Sequence, residues 1–285
     1  MNKNNRKNRK NRRGIFSKYQ ALGNDYIILD PRRFVLPLSR NVVARLCDRH
    51  FGIGSDGILY GPSYSGGIPH LTIYNPDGSE AEKSGNGVRI FAKYLFDSKY
   101  VKTDSFDIST KGGLVAVTRN NPDATDITAV LGKLILRGQE TLRIGSEKYV
   151  ADLASIGNPH CVIVLDNISD DLARKLGPVI ENDKLFPNRT NVQFVKVIDR
   201  GNIQVEIWER GAGYTSASGT SSAAAAGVCF ERGYCDRNII VHMPGGNLDV
   251  AIGDNFEISQ RGEAHQIIKE GVLSEEFMER LKRKE

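Results

Sequence analysis

The sequence predicts an α/β protein made of α+β halves: two pseudo-symmetric units, each a curved sheet around a central helix. Three observations predict it. The chain repeats itself at a constant offset, short runs alternate apolar and polar residues, and each half holds one long helical segment opened by a Ser-Gly step.

The repeat has an offset of 134 residues, from Gly23 to Gly157. At that spacing Gly23-Asn24-Asp25 lies over Gly157-Asn158-Pro159, and each is followed by a β-rich run, YIILD and HCVIVLD. LTIYN (71–75) lies over VEIWE (205–209), pairing Tyr74 with Trp208 and Asn75 with Glu209. Without a gap, Ser84-Gly85-Asn86 then lies over Ser218-Gly219-Thr220. Several matches in one register imply two homologous halves, expected at 14–130, completed by 264–285, and at 131–263.

Each half reads alike. Strand-like runs flank the Gly-Asn turn, and LTIYN and VEIWE alternate as half-buried strands do. A turn and the Ser-Gly step follow, then a helix. The first helix carries Val88, Phe91 and Leu95, with Ile90 and Tyr94, at helical spacing. The second, SSAAAAGVCFERG, is rich in small residues, which suits a buried helix, and Gly233 is placed to end it. HMPGGNL (242–248) reads as a hairpin turn. In LSEEFM, Ser274 is an N-cap and Leu273 a staple against Met278.

Composition narrows the class. With 40% apolar and 26% charged residues, the chain reads as an ordinary globular protein. No apolar stretch is long enough for a membrane helix. The net charge of +5 comes from the first thirteen residues, which hold Lys3, Arg6, Lys7, Arg9, Lys10, Arg12 and Arg13 and no acid. That segment, 1–13, is expected to be a disordered basic tail. The remainder is slightly acidic, which argues against a nucleic-acid binder. Cys47, Cys161, Cys229 and Cys235 show no metal-type spacing and sit in or beside apolar runs. Buried, reduced thiols in a cytoplasmic protein are expected.

The Ser-Gly steps carry the chemistry. Backbone N–H groups at a helix start lack acceptors, and the terminus carries about half a positive charge, so it holds a carboxylate well. Two halves facing each other across a cleft would set Ser84 opposite Ser218. Asn24, Asn75, Asn158 and Asn191 add amide donors and acceptors, and Glu209 and Arg210 add one charge of each sign. Together they read as a receptor for a zwitterion, an amino acid. Paired acid/base groups on opposite sides of one carbon are what stereoinversion requires. The expected activity is racemisation or epimerisation with no organic cofactor and no metal. GIGSDG (52–57) has offset glycines and precedes a strand, so it is not read as a dinucleotide loop.

At this point the motifs ALGNDYIILD, DRHFGIGSDG, IYNPDGSEAEKSGNGVRIFAKYL, GNPHCV, RTNVQFV and WERGAGYTSASGTSS resemble, in order, those of the diaminopimelate epimerase family, from about residue 14 to about 270. The resemblance implies that family's fold and a two-base mechanism at an amino-acid α-carbon, independent of pyridoxal phosphate. LL-diaminopimelate to meso-diaminopimelate is the default reaction, a step of lysine biosynthesis. It also implies that Asn24, Asn75, Asn158 and Asn191 bind substrate, and that Glu209 and Arg210 grip its amino and carboxyl ends. Gly85, Asn86, Gly219 and Thr220 hold the carboxylate, and His160 stands beside the reacting centre.

Ser84 and Ser218 fall where the family has its catalytic cysteines. Gly57 stands where it often has a glutamine, and Tyr214 where a glutamate usually follows ERGAG. A serine needs a neighbouring base to relay its proton, and His160, Glu209 or Tyr214 are the helpers on offer. Two alternatives stay open. One is another proton-shifting isomerase on the same scaffold, with Glu80, Glu82 or Glu209 as base. The other is a non-catalytic amino-acid-binding protein. The expected partner is a small amino-acid substrate, with homodimerisation left open and neither nucleic acid nor membrane involved.

Overall fold

The computed structural model describes residues 14–283; the basic tail lies outside them. In chain order the first strands are β1 (Ile15–Ala21), β2 (Asn24–Leu29), β3 (Ile58–Ser65), β4 (Ile68–Tyr74), β5 (Glu80–Ala81), β6 (Ser105–Thr110) and β7 (Gly113–Arg119). Helix α1 (Arg40–Cys47) lies between β2 and β3, and α2 (Gly85–Asp97) between β5 and β6. There follow β8 (Asp126–Lys133), β9 (Ile135–Ile144), β10 (Glu147–Ser155), β11 (Pro159–Val164), α3 (Asp170–Glu181), β12 (Asn191–Asp199), β13 (Asn202–Glu209) and β14 (Gly213–Thr215). The chain closes with α4 (Gly219–Glu231), β15 (Asn238–Met243), β16 (Gly246–Ile252), β17 (Glu257–Glu263), β18 (His265–Val272) and α5 (Glu275–Lys282). The described residues form two compact units: those up to 125 with those from 264 onward, and 126–263.

In the first unit the strands run β18-β1-β2-β3-β4-β6-β7, with β5 on β4. The β2–β3 and β4–β6 pairs are parallel; their crossovers contain α1 and α2, as parallel neighbours require. Helix α2 touches β1, β2, β7 and β18. A single helix in contact with both edges of the sheet means that the sheet curls around it. It is accordingly buried from Gly85 to Leu95. Val88, Ile90, Phe91 and Leu95 are inaccessible to solvent, each contributing about 1.5–3 kcal/mol of apolar burial. A smaller apolar cluster on the other face gathers Phe34, Leu46 and Ile58 under α1 and α5. There Ser274 caps α5 through Phe277 N (3.1 Å), and Leu273 and Met278 both pack against the cluster.

The second unit repeats this plan. Its strands run β9-β10-β11-β12-β13-β15-β16-β17-β8, with β14 on β13, and β11–β12 and β13–β15 are the parallel pairs. Helix α4 touches seven strands, from β10 round to β17, and is buried from Gly219 to Cys229. Small residues make the fit: a Cβ on Gly227 would meet Leu134 Cδ2 at 2.1 Å. Gly233, at φ +72°, ends the helix in the left-handed region, and Met243 pairs with Gly246 across the two-residue hairpin turn. All four cysteines are free and buried. Among the described residues no helix is long and apolar enough to cross a membrane.

Candidate active site

In the first unit Gly23, at φ +80°, turns β1 into β2, so that Asn24 opens the strand. Asn24 Nδ2 donates to Asp56 Oδ2 (3.0 Å), and Asp25 N donates to the same oxygen (3.1 Å). Arg49 bridges Asp25 and Asp56 at 2.8 and 2.7 Å, while Lys18 reaches Asp25 at 2.7 Å. Burial alone would raise the Asp25 carboxyl; Arg49 and Lys18 hold it below its usual range. DRHFGIGSDG therefore serves to brace the Gly-Asn turn.

Ser84 caps α2. Its Oγ accepts from Gly87 N (3.0 Å) and shares a hydrogen bond with the Tyr26 hydroxyl (3.3 Å). The Tyr26 ring lies over Gly57, where a Cβ would come within 2.8 Å of the ring and 2.5 Å of the Tyr74 carbonyl. That explains the missing glutamine: there is no room at 57 for a side chain. Asn86, beside Gly85 in the first turn, donates to Asn24 Oδ1 (3.4 Å) and accepts from Arg89 Nη2 (2.5 Å). Arg89 is wholly buried, and its Nε and Nη1 have no hydrogen-bond partner among the described residues. Burial pushes it down to about 10, so it stays charged at neutral pH. Asn75 is exposed and closes its own turn, donating to Ser79 Oγ (2.9 Å).

In the second unit Ser218 caps α4, accepting from Ser221 N at 3.4 Å. Asn158 Nδ2 donates to Thr220 Oγ1 (3.4 Å), the counterpart of the Asn86–Asn24 contact. His160 Nε2 bonds Asn158 Oδ1 at 2.9 Å, so Nε2 carries the proton; Nδ1 has no hydrogen-bond partner among the described residues. Burial pushes this imidazole down to about 3, against the opposing influence of the Gln193 amide and with the help of the Arg210 charge. His160 is therefore neutral at physiological pH, and it orients Asn158. Gln193 Nε2 donates to Ser221 Oγ (3.0 Å) and Gln260 Nε2 to Gly219 O (2.5 Å), fixing the first turn of α4.

Glu209 ends β13 and Arg210 begins the turn after it. Asn191 stitches that turn to the Gly-Asn turn: it accepts from Arg210 N (3.0 Å) and donates to Pro159 O (2.9 Å). The buried Glu181 takes Gly211 N (2.9 Å) and Arg189 (3.1 Å) on one oxygen and Trp208 Nε1 (2.7 Å) on the other. Tyr214 commits its hydroxyl to Glu206 Oε2 (2.6 Å), with the Arg174 guanidinium over its ring. Burial first, and then the Glu206 carboxylate, raise its pKa, so it makes a poor helper for Ser218. Of the other carboxylates, Glu80 faces Lys111 at 3.9 Å and Glu82 uses its carbonyl on Gly112 N.

Sequence reasoning missed Tyr26, Glu181, Arg89, Gln193 and Gln260. A signal existed for one of them: Tyr26 falls on His160 in the 134-residue register.

The arrangement can bind anions at two capped helix starts and place one hydroxyl at each. The family model described as diaminopimelate epimerase matches residues 16–136 and 153–267. The chain belongs to the diaminopimelate epimerase family. Diaminopimelate epimerase 2 of Nostoc sp. is 47% identical over 276 residues, covering 92% of this chain and 96% of that relative. The diaminopimelate epimerase of Alkaliphilus metalliredigens is 33% identical over 270 residues, covering 89% and 95%. Among solved structures, a hydroxyproline epimerase from Agrobacterium vitis matches with a TM-score of 0.72 at 14% identity, over 93% of this chain and 94% of that one. At that identity the likeness is one of fold. Both the motif resemblance and the fold class read from the sequence are borne out.

Proposed function

We propose that this member of the diaminopimelate epimerase family is an amino-acid epimerase, independent of pyridoxal phosphate, that inverts Cα with two bases and takes LL-diaminopimelate to meso-diaminopimelate in lysine biosynthesis. Ser84 and Ser218 occupy the paired acid/base positions. One accepts the Cα proton and the other returns a solvent-derived proton to the opposite face. The carboxylate rests on the helix starts at Gly85-Asn86 and Gly219-Thr220, which also stabilise the charge that builds on it as Cα loses its proton. Glu209 and Arg210 grip the amino and carboxyl ends. Asn24, Asn75 and Asn158 contact the substrate directly, Asn191 serves by holding the Arg210 turn, and His160 acts through Asn158. The reaction belongs in the cytoplasm, and homodimerisation is left open.

The observation that carries the reading is that each serine caps the buried central helix of its own unit, at positions one repeat apart. Incubation in D₂O with LL-diaminopimelate, and separately with a panel of common L-amino acids, tests it by mass spectrometry. Deuterium at Cα of diaminopimelate, lost in Ser84→Ala and Ser218→Ala, is expected. Deuterium on a different amino acid would keep the mechanism and change the substrate. Binding without deuterium would leave an amino-acid binder.

A further inference from the structure

We propose that Tyr26 is the proton partner of Ser84, so that the acid/base unit of the first half is a serine–tyrosine pair. This rests on the reading that Ser84 exchanges the substrate's Cα proton, and it answers how a hydroxyl can stand where a thiol is expected. An aliphatic alcohol is a far weaker acid than a thiol, whereas a phenol titrates near 10, within about two units of a free thiol. A serine that finishes its step as an alkoxide carries the whole of that difference. One that hands the charge to a phenol carries little of it.

The geometry suits the relay. One lone pair of Ser84 Oγ is taken by Gly87 N at 3.0 Å, and the Tyr26 hydroxyl stands 3.3 Å from the same oxygen. The tyrosine is nearly buried in β2, its backbone pairs with Tyr19 of β1, and its ring lies over Gly57, where a Cβ would meet it at 2.8 Å. Gly57 is what makes room for that ring, which ties the missing glutamine to the missing cysteine. In the 134-residue register the same position in the second half is His160, the other titratable ring beside a capped helix.

The step balances. The Cα carbanion takes the proton of Ser84 Oγ–H, forming the Cα–H bond. The Tyr26 O–H proton moves to Ser84 Oγ as its own proton leaves, and the negative charge ends on the phenolate. Abstraction is the reverse: Ser84 accepts the Cα proton while its own proton passes to the phenolate. Because Tyr26 acts through Ser84, it is a positioning and relay residue.

Tyr26→Phe keeps the ring over Gly57 and removes only the hydroxyl. It should lower kcat for Cα exchange by about 100-fold, the usual reach of a proton-transfer partner, with KM little changed. A second variant reads the contact without activity. In Ser84→Cys, the pH midpoint for alkylation of the introduced thiol, mapped by peptide mass spectrometry, should rise when Tyr26→Phe is added, because a thiolate loses a hydrogen-bond donor. An unchanged kcat in Tyr26→Phe, or an unmoved midpoint, overturns the proposal while leaving the epimerase reading intact. A wild-type protein that exchanges no amino acid overturns both, and the midpoint then reports only whether the contact is real.

Discussion

The starts of α2 and α4 are the same structure in different surroundings. Both helices have 13 residues, both are buried through their first eleven, and both are capped by a serine in extended conformation. Yet Ser84 follows Lys83, touches the Tyr26 hydroxyl and lies five residues before a buried Arg89. At the equivalent places the second unit has Ala217, His160 and Ala223. Duplication has kept what the backbone needs, a cap and a small-residue start, and changed what sets proton affinity. The first start is cationic with a phenol at hand; the second is neutral with an imidazole bonded elsewhere. A reaction that takes a proton at one base and gives one at the other is served by two bases that are not alike.

The comparison breaks most simply at the serines. Ser84→Ala and Ser218→Ala should each reduce inversion by about 10³-fold, measured by circular dichroism or chiral chromatography of the product. Each should cost stability only about 1 kcal/mol, the usual loss of an N-cap. Equal losses in rate would mean that both starts are needed despite their differences. A mild loss at one would make it a cap alone.

The second unit should be the acid-sensitive one. Folded His160 resists protonation down to about pH 3, whereas the unfolded chain takes up a proton near 6.5. Stability therefore falls as pH drops from about 6.5 towards 3, by on the order of 4 kcal/mol from this group. Urea unfolding at pH 7 and pH 4 measures the slope, and His160→Gln should flatten it. A slope unchanged in that variant would remove His160 as its source.

Smaller effects sharpen the contrast further. Gly57→Gln, which restores the residue the resemblance leads one to expect, should destabilise by about 2–3 kcal/mol, because the Tyr26 ring and Tyr74 carbonyl fill the space. Arg89→Met removes a buried charge whose Nε and Nη1 lack hydrogen-bond partners among the described residues. It should leave stability unchanged or raise it by about 1–2 kcal/mol while raising KM for an anionic substrate. Thermal melts and steady-state kinetics decide both. A large loss of stability in Arg89→Met would show that the charge is structural.

Much of the fold was legible in the sequence because its signals are local. Helix caps at Ser84, Ser218 and Ser274, the glycine stop at Gly233 and the Pro244-Gly245 hairpin each depend on residues within one turn. The repeat was legible because both units hold their Gly-Asn turn and Ser-Gly step at one spacing. The candidate site was legible as a list of residue types but not as a set of roles. Asn191 reads as one more amide for substrate, and the fold occupies that amide with Pro159 and Arg210. His160 reads as an acid or base, and burial makes it a neutral prop for Asn158. Tyr214 reads as a helper for a serine, and its hydroxyl belongs to Glu206.

By itself, then, the sequence determined the repeated strand, turn and helix of each half, the duplication, the two helices opened by serine and the family, since each rests on neighbours in the chain or on long unbroken motifs. Only the tertiary structure decided which groups stand beside each serine. Tyr26 reaches Ser84 across 58 residues, and Glu181 reaches Trp208 and Gly211 across 27 and 30. Such contacts depend on strand register and on which side chain finds room, as at Gly57. Proton affinities follow from the burial and charge that those contacts impose, and those exist only once the chain has folded.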